Sequence, residues 1–434
     1  MPETAARPAC FYRPRRVRDS PLYRLAEEHF ETFKQVYDDR FASRYGFWRA
    51  EVERTLLAFL DCGLPERGFA RIRCPSCRHE FLLAFSCKAR GYCMSCHAKR
   101  AALWAEHLAE RVLLPVPHEQ WVFTLPKRLR LFFLYDRTLL GDLARCAWGT
   151  VRDLYLAGRP ERTAVPGLVA SVQTYGDLAN WQPHIHALVT SGLIDPDGEF
   201  TPLDRPPAGV AEELFRRRVL KMLVGCGKLD EDSAAGLLAW QHSGFSVHNT
   251  IRVEAEDAAG VERLCRYLVH PPIALDRLEV PGASRPCTYR GRRPHPVTGE
   301  QTVTLDPLEM LARLCQHIPS PRLHLTRLYG AYASRTRASR ARRCTRTMGA
   351  SDTTAGHGAP EPEPLTAFLR ERRRAWARLI KKVFEADPLA CPNCWAAMKV
   401  VAFIVDPPVI RKILEHLKGL AHGPPRTTTA PAAN

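Results

Sequence analysis

Hydrophobic positions recur at helical spacing through "PLYRLAEEHFETFKQVYDDRFASRYGFWRAEVERTLLAFLDCG", so residues from about 20 to 60 are expected to be helical, with Gly63 ending the last turn. A second amphipathic helix is expected in "AALWAEHLAERVLLP", stopped by Pro115, and helical spacing returns from about 127 to 157. The period then changes. "GLVASVQTYG", "PHIHALVTSGLID" and "FSVHNTIRVEAED" alternate as strands do, with a helix in "AEELFRRRVLKMLVGCGKL" between the last two. A short helix in "AAGVERLCRYLVHPP" is ended by Pro271 and Pro272. Strands and helices in this order predict an antiparallel α+β domain.

Farther along, "SRTRASRARRCTRTMGASDTTAGHGAPEPEP" is basic and then rich in Gly, Pro, Ser and Thr, and is expected to be an exposed linker. "LTAFLRERRRAWARLIKKVF" resumes as a helix, followed by "CPNC", a strand-like "MKVVAFIV" and a final helix in "DPPVIRKILEHLKGL". The Cys-x-x-Cys knuckle is the one recurring motif. A chain of 434 residues exceeds the usual limit for a single core, so several domains are expected. The pattern divides it into 1–60, 61–118, 119–332, a linker over 333–364, and 365–434.

Charge narrows the choice of partners. Lys and Arg number 63 against 46 acids, a formal net charge of +17, so a polyanion is expected to bind, nucleic acid first. A GC-rich coding sequence that over-uses Arg, Ala and Pro would produce the same balance. The segment "MPETAARPACFYRPRRVRDS" lacks the apolar core of a signal peptide, and "WVFTLPKRLRLFFLYDRTLL" is interrupted by Lys127, Arg128 and Arg130. No membrane partner is expected, and the chain reads as soluble and intracellular. In that compartment fifteen cysteines are thiols and metal ligands rather than disulfides.

Cys74, Cys77, Cys93 and Cys96 follow the spacing C-x2-C-x15-C-x2-C, in which two turns each aim two thiolates at one point and complete a zinc tetrahedron. Cys62, Cys87, His79 and His97 lie close by in sequence, so the set could be shuffled or a second ion could bind. Cys391 and Cys394 provide half a tetrahedron and leave open whether they bind zinc.

In "WQPHIHALVTSG", strand alternation sends His184 and His186 to one face and Ile185 and Ala187 to the core. Two neutral imidazoles at that separation can share a divalent ion, and alone they are equally an ordinary hydrogen-bonded pair. In "VERLCRYLVHPPIALDRL", Tyr267 sits late on a short helix beside Arg263, Arg266 and His270. A phenol, with an ordinary pKa near 10, attacks phosphorus well when cations favour the phenolate; a core residue on an amphipathic helix is the plainer reading.

Together these stretches resemble the insertion sequence 91 family of transposases, rolling-circle elements with an HUH-type nuclease domain. The resemblance is carried by "FSCKARGYCMSCHAKRAALWAEHL", "LLPVPHEQWVFTLPKRLRLFFLYDRTL", "PHIHALVTSG", "FSVHNTIRV", "RLCRYLVHPPIALDRLE", "HLTRLYGAYA" and "VFEADPLACPNC", which span about 60 to 420. It implies an α+β fold: an antiparallel-sheet HUH nuclease domain, ferredoxin- or RRM-like, preceded by a helical zinc-binding domain and followed by a small C-terminal α/β segment.

The resemblance also implies roles. His184 and His186 would hold the catalytic Mg²⁺ or Mn²⁺, and Tyr267 would become joined to the 5′ phosphate of cut single-stranded DNA. Cys74, Cys77, Cys93 and Cys96 would bind structural Zn²⁺. Members with two catalytic tyrosines carry the partner four residues earlier, where this chain has Arg263, which suggests the single-tyrosine branch.

Gln173 is a candidate third metal ligand and His248 another. Arg263, Arg266, Arg327 and Arg335 are candidates for DNA phosphate contacts, Trp181 and Tyr175 for base stacking, and Tyr329 and Tyr332 are alternative nucleophiles. The expected partners are single-stranded DNA at element termini and target DNA, in the bacterial cytoplasm and at the nucleoid. Competing readings are an HUH replication initiator or relaxase, a zinc-containing DNA-binding regulator without catalysis, and a metal-dependent hydrolase built on His-x-His.

Overall fold

A computed structural model describes residues 10–11, 17–159, 163–282, 285–294, 299–348, 386–387 and 390–421. Two units emerge, each assembled from segments distant in sequence. One comprises Met1–Ser20, Leu57–Lys88 and Pro364–Asn434, and the other Pro21–Leu56 and Ala89–Glu363.

The larger unit is built on five strands, β1 (His118–Thr124), β2 (Gly167–Tyr175), β3 (Trp181–Thr190), β4 (Ser246–Val253) and β5 (Thr326–Gly330), in the order β5-β2-β3-β1-β4. Every neighbouring pair is antiparallel. Its longer helices include α1 (Pro21–Arg40), α2 (Met94–His107), α3 (Leu139–Leu156), α4 (Ala208–Gly225), α5 (Ala258–Leu268), α6 (Pro307–Cys315) and α7 (Ser334–Met348). Strand alternation sorts the sheet's side chains into two cores. Trp121, Phe123, Val172, Ile185 and Ala187 face α3 and α4 in the main core. Val169 and Leu188 face the other way, against Ala105 of α2 and Cys265 and Leu268 of α5. The chain is thus an α+β protein.

Because helices cover both faces, β3 is buried from Pro183 to Thr190, histidines included. The same double burial explains why β1 escapes the sequence pattern. "HEQWVFT" sits inside the sheet with almost no alternation of polarity to announce it. A small antiparallel sheet of Leu278–Glu279, Cys287–Arg290 and Thr302–Leu305 was likewise not expected.

One expectation is corrected here. Residues 334–348, read as linker, form α7, because alanine and arginine are strong helix formers and Tyr332, just ahead, is anchored in the core. Arg337 ties the helix start to the carbonyls of Tyr332 (3.2 Å) and Arg111 (3.3 Å). The linker beyond Met348 and the helix expected over 365–384 lie outside the described residues.

The smaller unit contains a three-stranded antiparallel sheet in the order Lys399–Ile404, Phe69–Arg73, Glu80–Ala84, followed by the helix Pro407–Ala421. The zinc-binding region was expected to be helical, but around Cys74 and Cys77 it is a hairpin. The short runs "FARIR" and "EFLLA" flank a tight "CPSC" turn, which suits strands better than helix. Among the described residues, no helix is long and apolar enough to cross a membrane.

Candidate active site

His184 and His186 share one face of β3, flanked by Gln173 and Ser171 of β2 and by Thr124 and Val122 of β1. Their Nε2 atoms approach to 3.0 Å. The carbonyl of Gln182 lies 2.7 Å from His184 Nδ1 and accepts the ring N–H there, which leaves Nε2 as the bare nitrogen. The carboxamide of Gln120, on β1, lies 3.5 Å from His186 Nδ1. Both rings are buried, at 8% and 5% exposure. Burial lowers the pKa of His184 to about 4 and that of His186 to about 3, the latter aided by His184 beside it. In the 3.0 Å contact His184 Nε2 accepts and His186 Nε2 donates; with the His186 proton moved to Nδ1, both Nε2 lone pairs would face one point and could reach one divalent ion at metal–nitrogen distances of about 2.0–2.1 Å.

Helix α5 lies across this face. The Asp257 side chain caps its start, accepting from the Gly260 N–H at 2.7 Å, and Cys265 and Leu268 pin it to the sheet. Tyr267 is therefore turned outward and is 42% exposed. Its ring stands edge to face with that of His186, centroids 5.1 Å apart, and stacks near His270 at 6.1 Å. Gln173 holds the far end of the helix: its amide donates to the carbonyls of Leu268 (3.3 Å) and Tyr267 (3.5 Å). The two histidines, Gln173 and Tyr267, more than eighty positions apart at the extremes, are thus brought together.

Behind the helix end lies a cavity of about 350 Å³ whose lining includes Gln173, Tyr175, His97, Trp104, Arg100 and His270, with no carboxylate among its described residues. The Tyr175 hydroxyl donates to the His270 carbonyl at 2.6 Å and lies 2.8 Å from its Nδ1. Burial, with Arg292 beside it, lowers the His270 pKa to about 4. Gln120 and this cavity were absent from the sequence reading, which named His270 beside Tyr267 but not its contact with Tyr175. The first depends on β1, which the pattern concealed, and the others on the turn after α5.

The remaining candidates separate. Arg263 and Arg266 are exposed on α5 and pair with Asp257 (3.5 Å) and Glu262 (2.8 Å). Arg335 is exposed on the first turn of α7. Arg327 does not join the site: it pairs in register with Ala170, so alternation turns it to the opposite face, against Gly141 of α3. Tyr329 lies on that face too, stacked on Trp148. Tyr332 is fully buried with its hydroxyl 2.6 Å from His118 Nε2, and burial raises its pKa. Trp181 donates to the Arg130 carbonyl (2.9 Å) and packs against Arg137 and His317, while Tyr175 is half-buried with its hydroxyl held by His270. His248 is exposed on edge strand β4.

The cysteines group differently from their spacing along the chain, a reshuffling that the sequence left open. Cys74 and Cys77 gather with Cys391 and Cys394, all four sulfurs lying within 4.8 Å of one another. Cys93 and Cys96 instead open α2 in the larger unit, Cys93 as its cap residue. The cause is strand pairing: Phe69–Arg73 takes Lys399–Ile404 as its partner, and the second knuckle arrives with it.

A family model described as "Putative transposase" matches residues 167–340, and one described as "Transposase zinc-binding domain" matches residues 30–125. The "Transposase for insertion sequence element IS801" of Pseudomonas savastanoi pv. phaseolicola is 30% identical over 375 residues, covering 82% of this chain and 84% of that protein. The "Putative transposase y4qJ" of Sinorhizobium fredii (strain NBRC 101917 / NGR234) is 24% identical over 407 residues, 89% of this chain and 97% of that protein. No solved structure matches the chain.

Proposed function

Because the chain belongs to the insertion sequence 91 family of transposases, we propose that it mobilises DNA by nicking and rejoining a single strand, with Tyr267 as nucleophile and rolling-circle transposition as the outcome. It is an enzyme that acts on DNA and carries a zinc-binding domain with structural zinc.

The Tyr267 oxygen attacks the scissile phosphorus, giving up its proton. The bond from phosphorus to the 3′ oxygen breaks, that oxygen takes up a proton and leaves as a hydroxyl, and the 5′ phosphate stays on the tyrosine. The phosphotyrosine ester keeps the energy of the original linkage, so a free 3′ hydroxyl can reverse the step without a nucleotide cofactor. His184 and His186 would hold Mg²⁺ or Mn²⁺, which neutralises charge on the phosphate oxygens. Imidazole donors favour Mn²⁺ over the harder Mg²⁺. Gln173, whose amide is committed to the end of α5, would fix the angle from which Tyr267 approaches. The carboxylate-free cavity beside it suits a polyanionic strand.

The observation that carries this reading is the contact of the Tyr267 ring with His186, itself 3.0 Å from its partner imidazole on a single strand. Purified protein incubated with Mn²⁺ and single-stranded terminus DNA is expected to form an SDS-resistant adduct with the 3′-labelled fragment. Tyr267→Phe is expected to abolish it and Tyr332→Phe to retain it. An undiminished adduct in Tyr267→Phe removes the assignment.

A further inference from the structure

We propose that one zinc ion is bound by Cys74, Cys77, Cys391 and Cys394, so that segments more than 300 residues apart in sequence are joined by a four-thiolate centre. Half of this ligand set lies beyond the stretch matched to the zinc-binding model, which ends at residue 125.

The two knuckles repeat one another. Each reads Cys-Pro-x-Cys. The first cysteine's N–H donates to the carbonyl five residues on, Cys74 to His79 at 2.7 Å and Cys391 to Ala396 at 3.0 Å. Its carbonyl accepts from the residue four on, Arg78 at 3.1 Å and Trp395 at 2.9 Å. Those two residues adopt left-handed φ angles of 62° and 63°, a conformation that ordinary side chains rarely take and that curls each turn so that both thiols face inward. The same costly turn built twice from unrelated flanking sequence points to a shared task.

The sulfurs meet across the knuckles. Cys74 lies 3.5 Å from Cys394, and Cys77 lies 3.4 Å from Cys391. A tetrahedron with zinc–sulfur arms of about 2.3 Å has edges of about 3.8 Å, whereas a disulfide would need about 2.05 Å. Four soft thiolates in this arrangement select zinc among the common intracellular divalent ions. The scaffold agrees: Arg73 pairs with Lys399 and Ile72 with Val400, which seats the knuckles at the same end of the sheet. Cys74 and Cys391 are themselves buried in an apolar cluster with Ile72 and Met398, against partly buried neighbours such as Phe81 and Val400.

The test compares zinc content of the full-length parent with C74S/C77S, C391S/C394S and the quadruple variant. Each double variant is expected to lose one equivalent, and the quadruple the same one, because both knuckles serve a single ion. Parental zinc content in C391S/C394S, or a loss of two equivalents in the quadruple, would overturn the proposal. Should a variant fail to fold, the parent chain answers by alkylation. Cys77 and Cys394 are exposed, yet are expected to resist iodoacetamide until a chelator is added and then to react together. Prompt alkylation of either in the zinc-loaded chain sinks the idea. Neither readout involves DNA cleavage, so failure here is distinct from failure of the nicking reading.

Discussion

At the scale of single residues, Gln173 separates two accounts of the site. As a third metal ligand it would set the metal requirement; as the group that holds the Tyr267 and Leu268 carbonyls it sets where the nucleophile points. The contacts present carry the second account, since the amide nitrogen is committed to the helix end, while the first would run through the amide oxygen. Gln173→Ala is therefore expected to slow adduct formation by roughly tenfold to a hundredfold, the effect of a slight misplacement of reacting groups. The Mn²⁺ concentration giving half-maximal rate should stay where it is. A large rise in that concentration would return Gln173 to the metal. His184, His186 and Tyr267 drew notice by residue type and local spacing, but the roles proposed for them came from the family resemblance, since each alone had a plainer reading. Gln120 was not legible, since an amide acquires meaning at this site only through neighbours on other strands, and His270, read beside Tyr267, needed the fold to show its contact with Tyr175.

Among elements, α5 matters most, and its start rests on one side chain. Asp257 caps the helix through the Gly260 N–H and brings a negative charge to the positive end of the helix dipole. Asp257→Ala is expected to cost about 0.5–2 kcal/mol of stability and to lower adduct yield as the tyrosine helix frays, while Asp257→Asn, an equally good cap, restores both. Urea unfolding of the three proteins checks the first effect; equal stabilities would show that packing of Cys265 and Leu268 alone defines the helix. Elements with a clear period, such as α4, β2 and α5, could be read from the chain. Strand β1 could not, because a strand covered on both faces loses the alternation that marks a strand. At the Cys74 knuckle, spacing along the chain points to Cys93 and Cys96, whereas strand pairing brings Cys391 and Cys394 beside it.

For the whole molecule, charge is the property that needs no fold to be read, and it constrains how DNA is held. An excess of 17 positive charges is expected to give binding that weakens steeply as salt rises, since each phosphate neutralised releases counterions. Composition alone does not say which arginines contribute. Arg263 and Arg266 share α5 with Tyr267, stand in solvent, and are engaged by the exposed Asp257 and the half-buried Glu262 in surface pairs of a kind worth little in water. They can exchange those partners for phosphate at small cost, whereas Arg327 faces the opposite side of the sheet. The double variant R263Q/R266Q is therefore expected to flatten the slope of log K against log salt by about 1.4 for single-stranded DNA, at roughly 0.7 for each phosphate that the variant leaves without its arginine. Arg327→Gln should leave the slope unchanged. Affinity titrations across a range of salt concentrations measure both, and a slope in the double variant equal to the parent's would move the DNA path away from α5 and from the tyrosine it carries.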